Sequence, residues 1–186
     1  MVTKNPITTS NPSGDFEFGV GDVDGQAALI YTYDARWATG VGVRIIAPTG
    51  GIDFGTGKWQ ILEGAALRSM LPEISPGSYF VPQIRYDSSF AGDASAKNIS
   101  NLQFMPTLNI GLPDHWFFTL YPSADIRINY GDPIAGQTGR LFLPADVLVG
   151  RTLLPGVAMS LELGVPIIKD YPVYTFKAIT RLNVSF

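Results

Sequence analysis

The last fourteen residues read VYTFKAITRLNVSF, positions 173–186. In an extended chain Tyr174, Phe176, Ala178, Thr180, Leu182, Val184 and Phe186 project to one side, and Thr175, Lys177, Arg181, Asn183 and Ser185 to the other. One side is apolar and the other polar, the pattern of a strand with lipid outside and a polar lumen inside. Phe186 then stands where an outer-membrane β-barrel would carry its last aromatic anchor.

The same period of two recurs upstream. Over residues 116–130, Trp116, Phe118, Leu120, Pro122, Ala124, Ile126, Ile128 and Tyr130 oppose Thr119, Tyr121, Ser123, Asp125, Arg127 and Asn129. Over residues 102–112, Leu102, Phe104, Pro106, Leu108 and Ile110 oppose Gln103, Met105, Thr107, Asn109 and Gly111. Residues 37–45 set Trp37, Val41, Val43 and Ile45 against Ala38, Gly40, Gly42 and Arg44, and residues 157–165 place Ala158, Ser160, Glu162 and Gly164 on the inward side. Segments 26–33, 59–67, 79–86 and 141–153 fit the same template less cleanly. The expectation is an all-β fold, an antiparallel transmembrane β-barrel of about ten strands, nine of them clearly visible.

The tenth strand is expected at residues 15–22, ahead of an Asp24-Gly25 turn; otherwise amino-terminal strands are missing. Pro82, Pro106, Pro122 and Pro144 fall inside strands, where each removes a ladder hydrogen bond, so bulges or kinks are expected there. Residues 1–14 form a polar amino-terminal segment and residues 15–186 a single β-barrel domain.

Connections alternate in length. Residues 34–36, 71–77, 113–115 and 154–156 are short and rich in turn formers, whereas 48–57, 88–98 and 131–138 are longer. Only 168–172 is short for its side. Tyr33, Trp37, Phe80, Trp116 and Phe186 then gather at the short-turn rim and Trp59, Tyr86, Tyr130 and Tyr174 at the long-loop rim, two girdles of the kind that mark membrane interfaces.

Composition narrows the function. A net charge of −3 without a cationic block carries no nucleic-acid footprint. The absence of cysteine rules out disulfides and thiolate-bound metals. No apolar run approaches the roughly eighteen residues a membrane helix needs, and residues 1–14 lack the apolar core of a secretory signal, so an exported chain is expected to have lost its signal or to start late.

The stretches Gly19-Val-Gly-Asp22, residues 37–43, Ala47-Pro-Thr-Gly50 and Phe54-Gly-Thr-Gly-Lys-Trp-Gln60 resemble the outer-membrane transporters related to the phenol-degradation meta-pathway. Leu102-Gln103, Pro106 and the turn Leu112-Pro-Asp-His-Trp116 are similar to the same family. The resemblance implies a barrel in the bacterial outer membrane, in contact with its lipid, that passes small organic, often hydrophobic or aromatic, solutes. Glu63 departs from the family pattern, where proline is expected, and the family's leading strands are missing.

Chemistry is expected on the inward faces, where Arg44, Arg85, Asp125, Arg127, Asp146, Glu162, Lys177 and Arg181 would point into the lumen. Charges there either form a wet constriction that tunes solute passage or pack into ion pairs that hold a narrow barrel together. No catalytic set converges: His115 is the sole histidine and sits beside Asp114 in a turn. The glycines at 50–51 and 55–57 lack the helix that follows a phosphate loop. Asp87, Asp93 and Asp132, read as solvated acids of the long loops, match no calcium spacing. No enzyme activity, cofactor or metal is expected. A passive channel leads the readings; its rivals are a non-conducting structural or interaction barrel and a soluble lipocalin-like lipid-binding barrel with its apolar face inward.

Overall fold

The structure is a computed structural model that describes residues 2–4, 16–51, 54–123 and 125–185. Its strands in chain order are β1 (Val2–Lys4), β2 (Phe16–Phe18), β3 (Val23–Thr32), β4 (Trp37–Ala47), β5 (Lys58–Met70), β6 (Tyr79–Gly92), β7 (Ser100–Gly111), β8 (Trp116–Leu120), β9 (Ile126–Asn129), β10 (Leu141–Leu154), β11 (Val157–Lys169) and β12 (Lys177–Val184). Strands β1 and β2 pair with each other, and the other ten form one antiparallel sheet. Within it each strand lies beside the next in sequence, β8 and β9 sharing the place between β7 and β10, so the sheet is nine ribbons across. No helix among the described residues is long and apolar enough to cross a membrane.

Register makes the period-two pattern continuous from strand to strand. Val43 lies opposite Ala27 and Glu63, Phe104 opposite Ile84 and Ile126, and Val149 opposite Phe118 and Leu161, all on one face. Arg85 lies opposite Gly64 and Gln103, and Leu148 opposite Thr119 and Glu162, on the other. Burial is inverted relative to a water-soluble domain: Glu162 and Asp146 are 0% and 1% exposed, whereas Leu29, Leu182 and Ile167 are 77%, 66% and 64% exposed. Polar side chains are buried and apolar ones exposed along the same strands, so the sheet curls around its polar face, where a groove of about 440 Å³ spans β3 to β6.

The nine segments read from alternation all appear as ribbons of this sheet. The expected tenth does not: Phe16–Phe18 pairs with Val2–Lys4 outside it, and Asp15 lies outside the described residues. Asp24 and Gly25 form no turn. They extend β3, opposite Ile46 and Ile45, and Asp24 receives the Arg44 guanidinium at 2.6 and 2.9 Å.

The prolines divide into two kinds. Pro144 marks a bulge in the β10–β11 ladder, and Pro122 lies in the break between β8 and β9. Pro82 and Pro106 instead face each other in unbroken register between β6 and β7. Each turns its missing N–H to the opposite neighbour, where the ladders are interrupted: β5–β6 pairing skips from Ala66–Gln83 to Ser69–Phe80, and the pairing of β7 on its other side skips from Phe104 to Leu108. A proline set against such a gap forfeits no bond, so no kink follows.

Connections 33–36, 112–115 and 155–156 are short and lie at one end with the longer 71–78, while 48–57, 93–99, 130–140 and 170–176 lie at the other. The loop expected over 88–98 is shorter, because β6 runs on to Gly92; the last link, 170–176, is longer, because β12 begins only at Lys177.

Candidate functional site

The break between β8 and β9 organises the polar face. Five residues between Leu120 and Ile126 lie opposite three between Leu108 and Phe104, so two extra residues leave the ladder. Two residues preserve the facing of everything beyond, whereas one would reverse it. Tyr121, at φ 49°, donates its N–H to Asp146 O at 2.9 Å and its hydroxyl to Pro144 O at 2.8 Å, which pins the excursion against β10.

Two charge clusters grow from this excursion. Asp125 takes one hydrogen bond from Arg85 Nη2 at 3.0 Å and two from Arg127, at 2.9 Å from Nε and 3.0 Å from Nη2. Asp87 stands close to the two arginines and to Asn101. On the other side Ser123 donates to Glu162 Oε1 at 2.5 Å and accepts from Lys177 and Arg181, each at 3.2 Å. Lys177 Nζ is 2.6 Å from Asp146 and 2.5 Å from Glu162, and Arg181 forms an ion pair with Glu162. Each cluster balances two cations against two anions, which is the arrangement that makes burial of charge tolerable.

Seven of the eight expected charges therefore meet in two groups on one face. Arg44 stands apart, in its bidentate pair with Asp24. Ser123, on the polar side of the alternation, went unsingled because a serine in a strand carries no signal of its own. Asp87 is a correction: it lies within β6 and is buried, not on a loop.

Tyr174 is a second correction. Expected in the outer girdle, it packs edge-on against the buried Phe142 at 5.0 Å, with Lys177 Nζ 5.5 Å from its ring centroid. Residues 170–176 are not strand, so alternation extrapolated backward from β12 does not hold there. Of the other proposed girdle residues, Tyr33, Trp37, Trp59, Trp116 and Tyr130 are exposed near strand ends, Phe80 is half-buried near one, Tyr86 is exposed but in the middle of β6, and Phe186 lies outside the described residues. Three carry a guanidinium: Arg36 at 6.0 Å from Trp37, Arg151 at 5.5 Å from Trp116 and Arg140 at 5.8 Å from Tyr130.

The polar face is unevenly filled. From β7 to β12 it is occupied by Asn101, Gln103, Met105, Phe142 and Leu148, all buried, and by the clusters, whose carboxylates are buried and whose cations are part-exposed. From β3 to β6 it is floored by Ala28, Gly40, Gly42, Gly64 and Ala66, which leave the groove open between Ile30, Leu62, Gln26, Gln83, Arg44 and Arg85. A groove of this size suits a small organic molecule.

At the loop end of this half, the segments around Asp22 and residues 48–57 lock together. Asp22 accepts from Gly50 N–H at 2.9 Å, from Thr56 N–H at 2.8 Å and from Thr56 Oγ1 at 2.7 Å. Desolvation raises the Asp22 pKa, but the hydrogen bonds from Thr56, Gly50 and Thr49 together outweigh it and hold the carboxyl below its ordinary value. Gly50 and Gly55 must be glycine for this contact: a Cβ on either would come within 2.8 Å of the other's backbone. The glycine-rich stretch is thus a loop latch.

His115 stands in a 3-10 turn with Asp114, both at positive φ. Asp93 bonds Ser95, and Asp132 bonds the Asn98 N–H. Among the described residues, no group of three or more His, Cys, Asp or Glu side chains is placed to hold a metal ion. Comparison of the chain with protein-family models, curated proteins and solved structures gave no match.

Proposed function

We propose that the chain is the wall of a bacterial outer-membrane β-barrel that passes small organic solutes along its polar face, without a cofactor or a chemical step. The inversion of burial carries this reading. Apolar surface left in water is unfavourable by about 25 cal/mol per Å², whereas against acyl chains that penalty vanishes. Buried carboxylates paired with part-buried cations on the opposite face suit a narrow polar interior. Arginine over exposed aromatics at both ends suits an interface where rings sit at headgroup level. The resemblance to the phenol-degradation-related transporters points the same way.

Closure follows from parity. In a meander of nine ribbons β3 and β12 run in the same direction, so the barrel closes either by a parallel seam between them or with an odd number of further strands. A non-conducting barrel is the second reading, favoured by the packed half from β7 to β12. A soluble lipid-binding barrel requires the sheet to bury its apolar side chains, the opposite of the burial along these strands.

Detergent extraction, heated and unheated electrophoretic mobility, and planar-bilayer conductance test the proposal. Heat-modifiable migration with discrete conductance steps is expected. Heat-modifiable migration without steps selects the packed barrel, and solubility without detergent overturns the membrane reading.

A further inference from the structure

We propose that the groove over β3 to β6 takes organic carboxylates with a flat apolar body; this rests on the channel reading and names its substrate class. The floor has no side chain beyond a Cβ at Ala28, Gly40, Gly42, Gly64 and Ala66, and Gly42 and Gly64 are directly paired. A planar body can lie against such a floor, flanked by Ile30 and Leu62.

The charged groups lining the groove are both hydrogen-bond donors. Arg44 and Arg85 face it, each paired with a carboxylate, Asp24 at the loop end of the same face and the buried Asp125. A guanidinium carries five N–H donors. Arg44 commits Nε and Nη2 to Asp24, and Arg85 commits Nη2 to Asp125, which leaves donors for a second acceptor on each. The Arg85 stem crosses the floor, since a Cβ on Gly64 would stand 2.8 Å from its Cγ. Cations already neutralised by a carboxylate attract a second one only weakly, which suits transit rather than retention. The carboxylates nearest the groove, Asp24 and Asp125, are each already held by a guanidinium, so a protonated amine meets no uncommitted one among its lining residues.

The test uses the full chain in planar bilayers, with sodium benzoate and benzylammonium chloride as probes, and equilibrium dialysis of benzoate against benzyl alcohol with the protein in detergent. Benzoate is expected to permeate about fivefold better than benzylammonium, the yield of one partly screened charge-assisted hydrogen bond. Arg44→Gln should bring the ratio close to unity, and Gly42→Leu should fill the slot and abolish benzoate binding in dialysis. Conductance with equal permeation of the two probes overturns the carboxylate assignment and leaves the channel standing. Absence of steps with every salt overturns the channel instead. In that case dialysis decides the groove: benzoate retained over benzyl alcohol and lost in Gly42→Leu supports the assignment, and equal retention overturns it.

Discussion

Asp125→Asn removes the charge on which two guanidinium groups converge. The Asp125 side chain is 7% exposed, with Arg85 and Arg127 at 24% and 22%. Breaking a buried ion pair by deleting one partner costs about 3–5 kcal/mol, and the partial exposure of both arginines puts this site at the lower end, about 3 kcal/mol. With an m-value of roughly 2 kcal/mol per molar urea, the unfolding midpoint should fall by about 1.5 M. Asp24→Asn is the matched control. Its pair with Arg44 is also bidentate, at 2.9 and 2.6 Å, but the side chains are 32% and 39% exposed, and a pair of that kind contributes under about 1 kcal/mol. The assay is urea unfolding in detergent, followed by tryptophan fluorescence. Equal shifts in the two variants would refute the reasoning, because geometry alone would then set the energy and burial would not.

Glu63 is the one carboxylate on the apolar face among the described residues of the sheet, opposite Val43 and Tyr86. Glu63→Leu should therefore stabilise the protein by about 1–2 kcal/mol, less than the penalty for a lipid-facing lysine or arginine, in urea unfolding from lipid vesicles; destabilisation there contradicts contact of that face with lipid. The latch at Asp22 depends on pH. Its folded pKa lies below the ordinary value of 3.8, so its contribution is full above that value and is lost as pH falls through the lower, folded one. Exchange protection of the Gly50 and Thr56 amides should be full at pH 6 and decline as the carboxyl is protonated below 3.8; protection that survives protonation of the carboxyl argues against the latch. Gly55→Ala drives a Cβ to 2.7 Å from the Asp22 carboxylate and should remove the same protection at every pH, with a loss of roughly 1–3 kcal/mol.

Alternation made the sheet legible because one face carries almost nothing but apolar residues, so strand after strand shows its period without help from turns. The same regularity hid the break at residues 121–125. Two extra residues leave parity intact, and the pattern runs through Pro122 as though the strand continued. It also misplaced Tyr174, which belongs to a connection where period two has no meaning. Charges on the polar face were visible singly. Their grouping was not, since Arg85 and Asp125 are separated by forty positions and Ser123 and Arg181 by fifty-eight. The groove needed register: Gly40 and Gly42 stand out in the sequence of β4, but only pairing with Ala66 and Gly64 turns them into a floor.

Strand β11 offers the most direct test of which face meets lipid. The chain has no cysteine, so single cysteines along Val157–Lys169 can each carry one nitroxide spin label in reconstituted vesicles. Labels at Met159, Leu161, Leu163 and Val165 should collide freely with oxygen dissolved in the bilayer and be shielded from a polar nickel chelate, while those at Ser160, Glu162 and Gly164 reach neither readily. Accessibility that alternates in this phase is the predicted result. Free access of the nickel chelate to positions 159, 161, 163 and 165 would place the apolar face in water and contradict the account.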